Sequence, residues 1–462
     1  MNILLISAGS SSFKGALWGA YDFDLPLNVA YVAAYLEANG LSVTVCDLQL
    51  PGVDINCLLE QKDIHRFSFI GISANLSSYR QAYQTALFLR NRHYAGFIFI
   101  FGPLGLYLQE MIFDECPGID FVIYGEEEPT ILDLIRNYAA PQGVKGICYL
   151  KDDQIKKSPS RRYLSDLDTL PFPARGKFNI NRYFPSPGKY YVLPQITMLS
   201  SRGCNYHCLF CEKTGGSELR FRRAENIFLE IEEVVSRYGA REICFVDEIF
   251  GSNKEETLKL CELLIKKNFG IYLRISTRVD FIDREILTAL KRAGLYSVGV
   301  GIESGSDQIL KYNNKQITTS QVRQTIKLIK SLDLETRGYF MINMPGETKE
   351  SIKQTKDFID ELKLDLVNVQ IAYPYPNTAF RKLAERKYRI IEDKWNRWEL
   401  SDGDDVVFTQ SDLTEAYLKM EYRNIIRRNF LNPRFIARWL KRIKTFHDFK
   451  YSFLQFLNLL SM

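Results

Sequence analysis

Ser200-Ser201-Arg202-Gly203-Cys204-Asn205-Tyr206-His207-Cys208-Leu209-Phe210-Cys211 places three cysteines in C-x3-C-x2-C spacing. Three thiolates this close in sequence can converge on one face of a loop and hold three irons of a cubane cluster. The fourth iron then lacks a protein ligand. Clusters that only relay electrons are commonly held by four cysteines, so an open iron points to chemistry. The preceding run, 195–199, reads as a strand, and Gly203 lets the chain turn away from it. Two other readings of these residues are a structural zinc site and a chance grouping of cysteines. A zinc site of four ligands calls for a second CxxC or HxxxH pair. His207 is a poor substitute, because it lies between two of the cysteines.

Outward from this loop, the chain of 462 residues is long enough for about three domains. Its 46% hydrophobic and 13% aromatic content can fill real cores, and its net charge of +5 does not demand a nucleic-acid partner. The opening Met1-Asn2-Ile3-Leu4-Leu5-Ile6 is too short an apolar run for a signal peptide and lacks a basic start. No stretch approaches the roughly 20 apolar residues of a membrane span. Nine cysteines, an odd number with one metal-type cluster, point to a reducing cytoplasm.

Residues 1–140 alternate apolar runs (3–7, 42–46, 67–73, 97–101, 121–124) with amphipathic segments (28–39, 79–92, 106–113, 130–138). This alternation predicts a parallel sheet covered on both faces, doubly wound and flavodoxin-like. Ligands of such sheets bind at the carboxyl ends of the strands. Those ends carry Ala8-Gly9-Ser10-Ser11-Ser12, Ser73-Ala74-Asn75, Gly102-Pro103-Leu104-Gly105 and Gly125-Glu126-Glu127-Glu128-Pro129. Residues 141–189 read as a linker with a short hairpin (146–150, 154–157), Leu170-Pro171-Phe172-Pro173-Ala174-Arg175, and prolines as far as Pro187. Residues 190–385 alternate again, with strands at 195–199, 242–246, 272–276, 297–301, 335–342 and 367–372 and five helices between them. Six βα units predict a partial (β/α)6 barrel, whose chemistry sits at the carboxyl ends of its strands. Residues 386–462 form a C-terminal helical extension: Trp395, Trp398 and a turn at 402–405, then helices at 414–429 and 433–460. In the last helix Arg434, Arg438, Lys441, Arg442 and Lys444 alternate with apolar residues, as in a helix lying on an anionic membrane surface or meeting an acidic substrate; the favoured reading is a helical cap over the barrel mouth with a solvated basic face.

The cysteine spacing, with Phe210 just before the last thiol, resembles the radical S-adenosylmethionine (radical SAM) superfamily. The strand ends strengthen the resemblance: Asp247-Glu248, Ser276-Thr277-Arg278, Gly299-Val300-Gly301-Ile302-Glu303-Ser304 and Pro345-Gly346-Glu347-Thr348. It implies that Cys204, Cys208 and Cys211 hold a 4Fe-4S cluster. SAM chelates the open iron and is split into methionine and a 5′-deoxyadenosyl radical. The residues expected to bind SAM are Phe210, Asp247, Glu248, Ser276, Arg278 and Glu303. An electron donor such as flavodoxin or ferredoxin is the implied partner.

Residues 25–36 followed by Gly40, together with Phe101-Gly102-Pro103 and Tyr124-Gly125-Glu126-Glu127-Glu128-Pro129-Thr130, resemble the cobalamin-binding domain that precedes many radical SAM cores. On that resemblance Ser73, Gly102, Gly125 and Glu126 border cobalamin. The Asp-x-His-x-x-Gly signature that supplies a cobalt ligand elsewhere is absent, and no histidine precedes His65. The other reading is a Rossmann-like domain without a cofactor. Cys46, Cys57, Cys116 and Cys148 invite comparison with the second cluster of methylthiotransferases, but they read as buried inert thiols, and Cys244 and Cys261 as packing residues. The implied activity is cobalamin-dependent methylation of an unactivated carbon of a small molecule or lipid. The alternatives are a radical cyclisation, rearrangement or oxidation, and a non-catalytic cluster or cobalamin sensor.

Overall fold

A computed structural model describes residues 1–9, 23–53, 55, 64–186, 188–391, 406–410, 412–443 and 446–461. The expectations for Ser10, Ser11 and Ser12, Cys57, Pro187, Trp395, Trp398, the turn at 402–405 and Lys444 lie outside the described residues. The described chain divides into two compact units, one up to Phe184 and one from Pro185 onward.

In the first unit five parallel strands, β1 (Asn2–Ser7), β2 (Ser42–Asp47), β3 (Phe69–Ser73), β4 (Phe97–Phe101) and β5 (Phe121–Ile123), lie in the order β2-β1-β3-β4-β5. This is the flavodoxin-like order, with its switch point between β1 and β3. Every residue of β3 is buried, because helices cover both faces. The helix Leu27–Ala38 is apolar almost all round and packs on β1, β2 and the helix Glu127–Asn137. The residues read as one helix over 106–113 form two short helices, Pro103–Leu108 and Ile112–Glu115, about a tight turn. Gln109, at φ +49, breaks the helical path. The hairpin β6 (Ile147–Lys151) and β7 (Gln154–Lys157) joins the sheet antiparallel beside β5. Much of the stretch read as linker therefore belongs to this unit.

The second unit begins with β8 (Gln195–Met198) and a two-strand clip, β9 (Ser201–Arg202) and β10 (Arg220–Phe221). Next come β11 (Glu242–Phe245), β12 (Tyr272–Thr277), β13 (Leu295–Glu303), β14 (Glu335–Ile342) and β15 (Leu366–Ile371). The six-strand sheet runs β8-β11-β12-β13-β14-β15, parallel throughout, and is open between β8 and β15. It is a partial barrel. Helix starts are fixed by side-chain caps at Asn253, Asp283, Thr318 and Thr348. The register of β13 on β14 skips a residue between Gly301 and Glu303, and Glu303 sits at φ +70. A non-glycine residue there is strained, and the bulge re-aims its side chain. The helix Glu415–Phe430 packs on β15. The stretch expected as one helix over 433–460 is two, Pro433–Arg442 and Phe446–Ser461.

Candidate functional site

The cysteine loop leaves β9 at Gly203, which turns at φ +87; a Cβ there would lie 2.1 Å from the Glu218 carbonyl oxygen. Only glycine fits that turn. The Cys204 amide donates to the Gly216 carbonyl at 3.0 Å, closing the loop at its base. Two carboxylates at the end of β11 hold it from below. Glu248 accepts from the Gly203 amide at 3.2 Å and from the Gly215 amide at 2.7 Å, so one side chain grips both ends of the loop. Asp247 Oδ1 accepts from the Ser200 amide and from the hydroxyls of Ser200 and Ser201, at 2.9, 2.7 and 2.6 Å. Burial pushes the Asp247 carboxyl up to about 6 against the pull of those donors, and its Oδ2 has no hydrogen-bond partner.

The far side of the loop is tied to the segment after the short helix Asp307–Tyr312. The Leu209 amide donates to Asn313 O at 2.9 Å, and Asn314 Nδ2 donates to His207 O at 3.0 Å. Asn313, fully buried, also reaches Pro345 O at 2.9 Å. The loop, the segment after the helix Asp307–Tyr312 and the Pro345-Gly346 turn are thus one hydrogen-bonded assembly. His207 faces Lys213, with Nδ1 and Nζ 3.0 Å apart.

A charged group stands beside Cys208. The Arg278 guanidinium lies 4.0 Å from its Sγ, stacks 3.6 Å above the Tyr206 ring, and is held by Asp280 at 3.0 and 3.1 Å and by Lys315 O at 2.9 Å. Lys315 Nζ pairs with Glu303 Oε1 at 2.7 Å and lies 5.8 Å from the centre of the Phe210 ring. Burial raises the Cys208 thiol, while Lys315 and Arg278 pull it down. The protein packed around Cys211 pushes its thiol up to about 11, although part of the residue reaches solvent, and thiolates at Cys208 and Cys204 add to the rise. Among the described residues no three His, Cys, Asp or Glu side chains are grouped tightly enough to share one metal ion. The separate irons of a cubane set three thiolates farther apart and match a donor set of three cysteines without a fourth.

The SAM candidates therefore sort by position. Phe210, Arg278 and Glu303 gather around Lys315 and Cys208. The Ser276 hydroxyl instead lies 3.1 Å from Tyr339 OH. Asp247 and Glu248 face the backbone and hydroxyls of the loop itself. Lys315, Tyr206, Asp280 and Asn313 were not singled out by the sequence reading. The one local signal for Lys315 is the polar run Asn313-Asn314-Lys315-Gln316, which carries two left-handed residues, Asn314 and Gln316.

At the switch point of the first unit, the Ser73 hydroxyl accepts from Asn28 Nδ2 at 2.8 Å and the Ser7 hydroxyl from Gln49 Nε2 at 2.8 Å. Gly102, at φ +88, packs against Ala74 O and Ser73 Oγ, where a Cβ would come within 2.8 and 3.2 Å. These residues leave a small, polar edge. Gly125 instead packs against Arg161 and Gly146, and the Glu126 carboxylate accepts from the Leu164 amide at 2.8 Å. His65 and His93 precede β3 and β4, at the opposite end of the sheet from this edge. Cys46, Cys116, Cys148, Cys244 and Cys261 are buried thiols, and burial pushes those of Cys116, Cys148 and Cys261 up to about 12. Such thiols are unreactive.

Residues 198–359 match the radical SAM superfamily. An uncharacterized methyltransferase of Pyrococcus horikoshii is 28% identical over 82% of this chain and 82% of its own length. The anaerobic magnesium-protoporphyrin IX monomethyl ester cyclase of Rubrivivax gelatinosus is 26% identical over 80% of this chain and 68% of its own. Among solved structures, the fold is similar to the cobalamin-dependent S-adenosylmethionine radical enzyme OxsB, with TM-score 0.73 and 17% identity over 99% of this chain and 72% of that one. It is also similar to the radical S-adenosylmethionine methyltransferase TsrM of Kitasatospora setae, with TM-score 0.69 and 15% identity over 91% and 81% of the two chains.

Proposed function

From the premise that this chain is a radical SAM enzyme related to cobalamin-dependent methyltransferases and cyclases, we propose that it methylates an unactivated carbon of a small-molecule or lipid substrate with the help of cobalamin. The observation that supports this most is the clamped three-cysteine loop with Phe210, Arg278, Lys315 and Glu303 beside Cys208. Cys204, Cys208 and Cys211 hold the cluster in this reading. When bound, the cluster supplies the electron that splits SAM into methionine and the 5′-deoxyadenosyl radical, and cobalamin supplies the methyl group. The chain's own part is to bind, orient and keep water out. Arg278 and Lys315 offer cations to the carboxylate of SAM, and Glu303 offers an acceptor to its ammonium or ribose. Asp247 and Glu248 keep the loop in place. In the first unit Ser73 and Gly102 leave a low edge against which a flat macrocycle can lie, while Gly125 and Glu126 fix the segment at 161–164 behind it. No histidine stands on that edge among the described residues; if cobalamin binds, no histidine of an Asp-x-His-x-x-Gly motif would reach its cobalt.

The expected electron donor is a flavodoxin or ferredoxin. An anionic lipid surface is proposed as the partner of the C-terminal helices. Leu440, Phe449 and Phe453 are 61, 53 and 51% exposed there, around an apolar groove of about 270 Å³. The same stretch of sequence holds Arg434, Arg438, Lys441 and Arg442. No helix among the described residues is long and apolar enough to cross a membrane, which leaves lying on the surface.

The test is anaerobic purification with iron, sulfide and hydroxocobalamin, followed by absorption spectra and a SAM-cleavage assay. Cluster absorption, retained corrinoid and 5′-deoxyadenosine are expected, with the cluster absorption lost in Cys208→Ala. Absence of corrinoid after that treatment removes the methyltransferase reading. Cleavage with corrinoid but without S-adenosylhomocysteine supports the cyclase-like alternative.

A further inference from the structure

The inner face of the partial barrel holds two arginines, Arg274 on β12 and Arg337 on β14. Along β12, Leu273 and Ile275 are fully buried against the helices, whereas Arg274 and Ser276 stay half-buried on the other face. Two carboxylates lie near. Glu335 is committed to Arg337, whose Nε donates to it at 3.0 Å and to Ser297 Oγ at 2.8 Å. Glu242 is committed to neutral donors. Its Oε1 accepts from Gln195 Nε2 and Tyr296 OH, both at 2.7 Å, and its Oε2 from the amides of Tyr191 and Val192 at 2.7 and 3.0 Å. That leaves Arg274. Among the described residues it makes no hydrogen bond, and its Nε is buried without an acceptor. Its electrostatic neighbours are Cys244, Tyr296, Tyr339, Glu242 and Arg337.

A guanidinium nitrogen buried without an acceptor is costly. Its fork matches the two oxygens of a carboxylate or phosphate. Ser276 lies one pleat further along the same face, and Arg278, beyond the strand end, touches Cys208. The run from Arg274 to Arg278 spans about 13 Å at about 3.3 Å per residue.

We propose that Arg274 receives an oxyanion of the substrate, a carboxylate or a phosphate-type group, so that the substrate extends from the barrel interior toward the cysteine loop. This rests on the radical SAM reading of the loop and adds a substrate class to it.

The test uses the full chain with its cluster and SAM loaded anaerobically, titrated with methylphosphonate and, separately, with propionate, and read by broadening of the probe's methyl proton signal. Saturable broadening by at least one probe is expected, with Kd of about 1 mM or tighter. The probe that binds identifies the class of anion. Arg274→Met, similar in length but neutral, weakens binding at least about tenfold, and Arg274→Lys restores part of it. Arg237→Met, on the exposed end of a surface helix, leaves the titration as in the wild type. Cluster absorption in each variant shows that it is folded. The proposal is overturned if neither probe binds saturably up to about 50 mM, or if Arg274→Met binds as tightly as the wild type. A wild-type chain that yields no 5′-deoxyadenosine from SAM counts instead against the radical SAM reading, and is measured separately.

Discussion

Glu248 joins Gly203 and Gly215 across the mouth of the cysteine loop, and its two hydrogen bonds to amides are charge-assisted. Bonds of this type contribute about 1.5–3 kcal/mol each, less where solvent reaches them. Glu248→Ala is therefore expected to lower the iron and sulfide content reached on anaerobic reconstitution while the chain still melts cooperatively. Wild-type iron content in that variant rules out the clamp. Glu347 reports on the fold through pH. It is buried, its Oε2 accepts from the Met344 amide at 3.1 Å, and its Oε1 has no partner. Burial pushes its carboxyl up to about 8, against donors at Met344 and Asn343. Between the ordinary carboxylate range and that value, the folded state holds a proton that the unfolded chain has lost. Stability then falls as pH rises through this window. Asp247, raised to about 6, adds a loss of the same sign lower in the range. Glu347→Gln keeps the acceptor and removes the titration. Its melting temperature should exceed that of the wild type by a margin that widens from pH 5 to pH 8, and a constant margin refutes the assignment. The sequence showed the thiols and both carboxylates after β11. It did not show which way those carboxylates point, because that depends on a loop returning to meet them.

Among elements, the parallel strands were legible because their apolar runs are continuous, and the helices because amphipathic segments alternate with those runs. The bend in the helix at 103–115 and the break in the C-terminal helix were not legible. A left-handed Gln109 and an interruption of the C-terminal helix leave little mark on hydrophobic periodicity. The two C-terminal helices carry their own prediction. Centrifuged with vesicles, the protein should sediment with phosphatidylglycerol and remain in solution with phosphatidylcholine alone. Leu440→Glu combined with Phe453→Glu should abolish the difference. Equal sedimentation of variant and wild type sinks the lipid assignment. In the first unit, Ser73→Tyr would place a ring on the switch-point edge. Corrinoid retention should fall at least about tenfold while cluster absorption persists, and unchanged retention would move the site elsewhere.

At the scale of the molecule, a flavodoxin-like unit and a partial barrel share one chain, and the comparisons extend over most of it. The cysteine spacing, the order of strands and helices, and the short motifs at the strand ends were all present in the linear sequence. Each is a local pattern, fixed by neighbours a few residues apart. The tertiary structure alone decided that Asp247 and Glu248 brace the loop, that Lys315 joins Glu303 beside Phe210, and that Arg274, among the described residues, has no carboxylate in contact. These outcomes depend on the shifted register at Gly301 and Glu303 and on strands brought together from distant parts of the chain. A side chain's partners across a sheet are set by that pairing, and no stretch of sequence contains it.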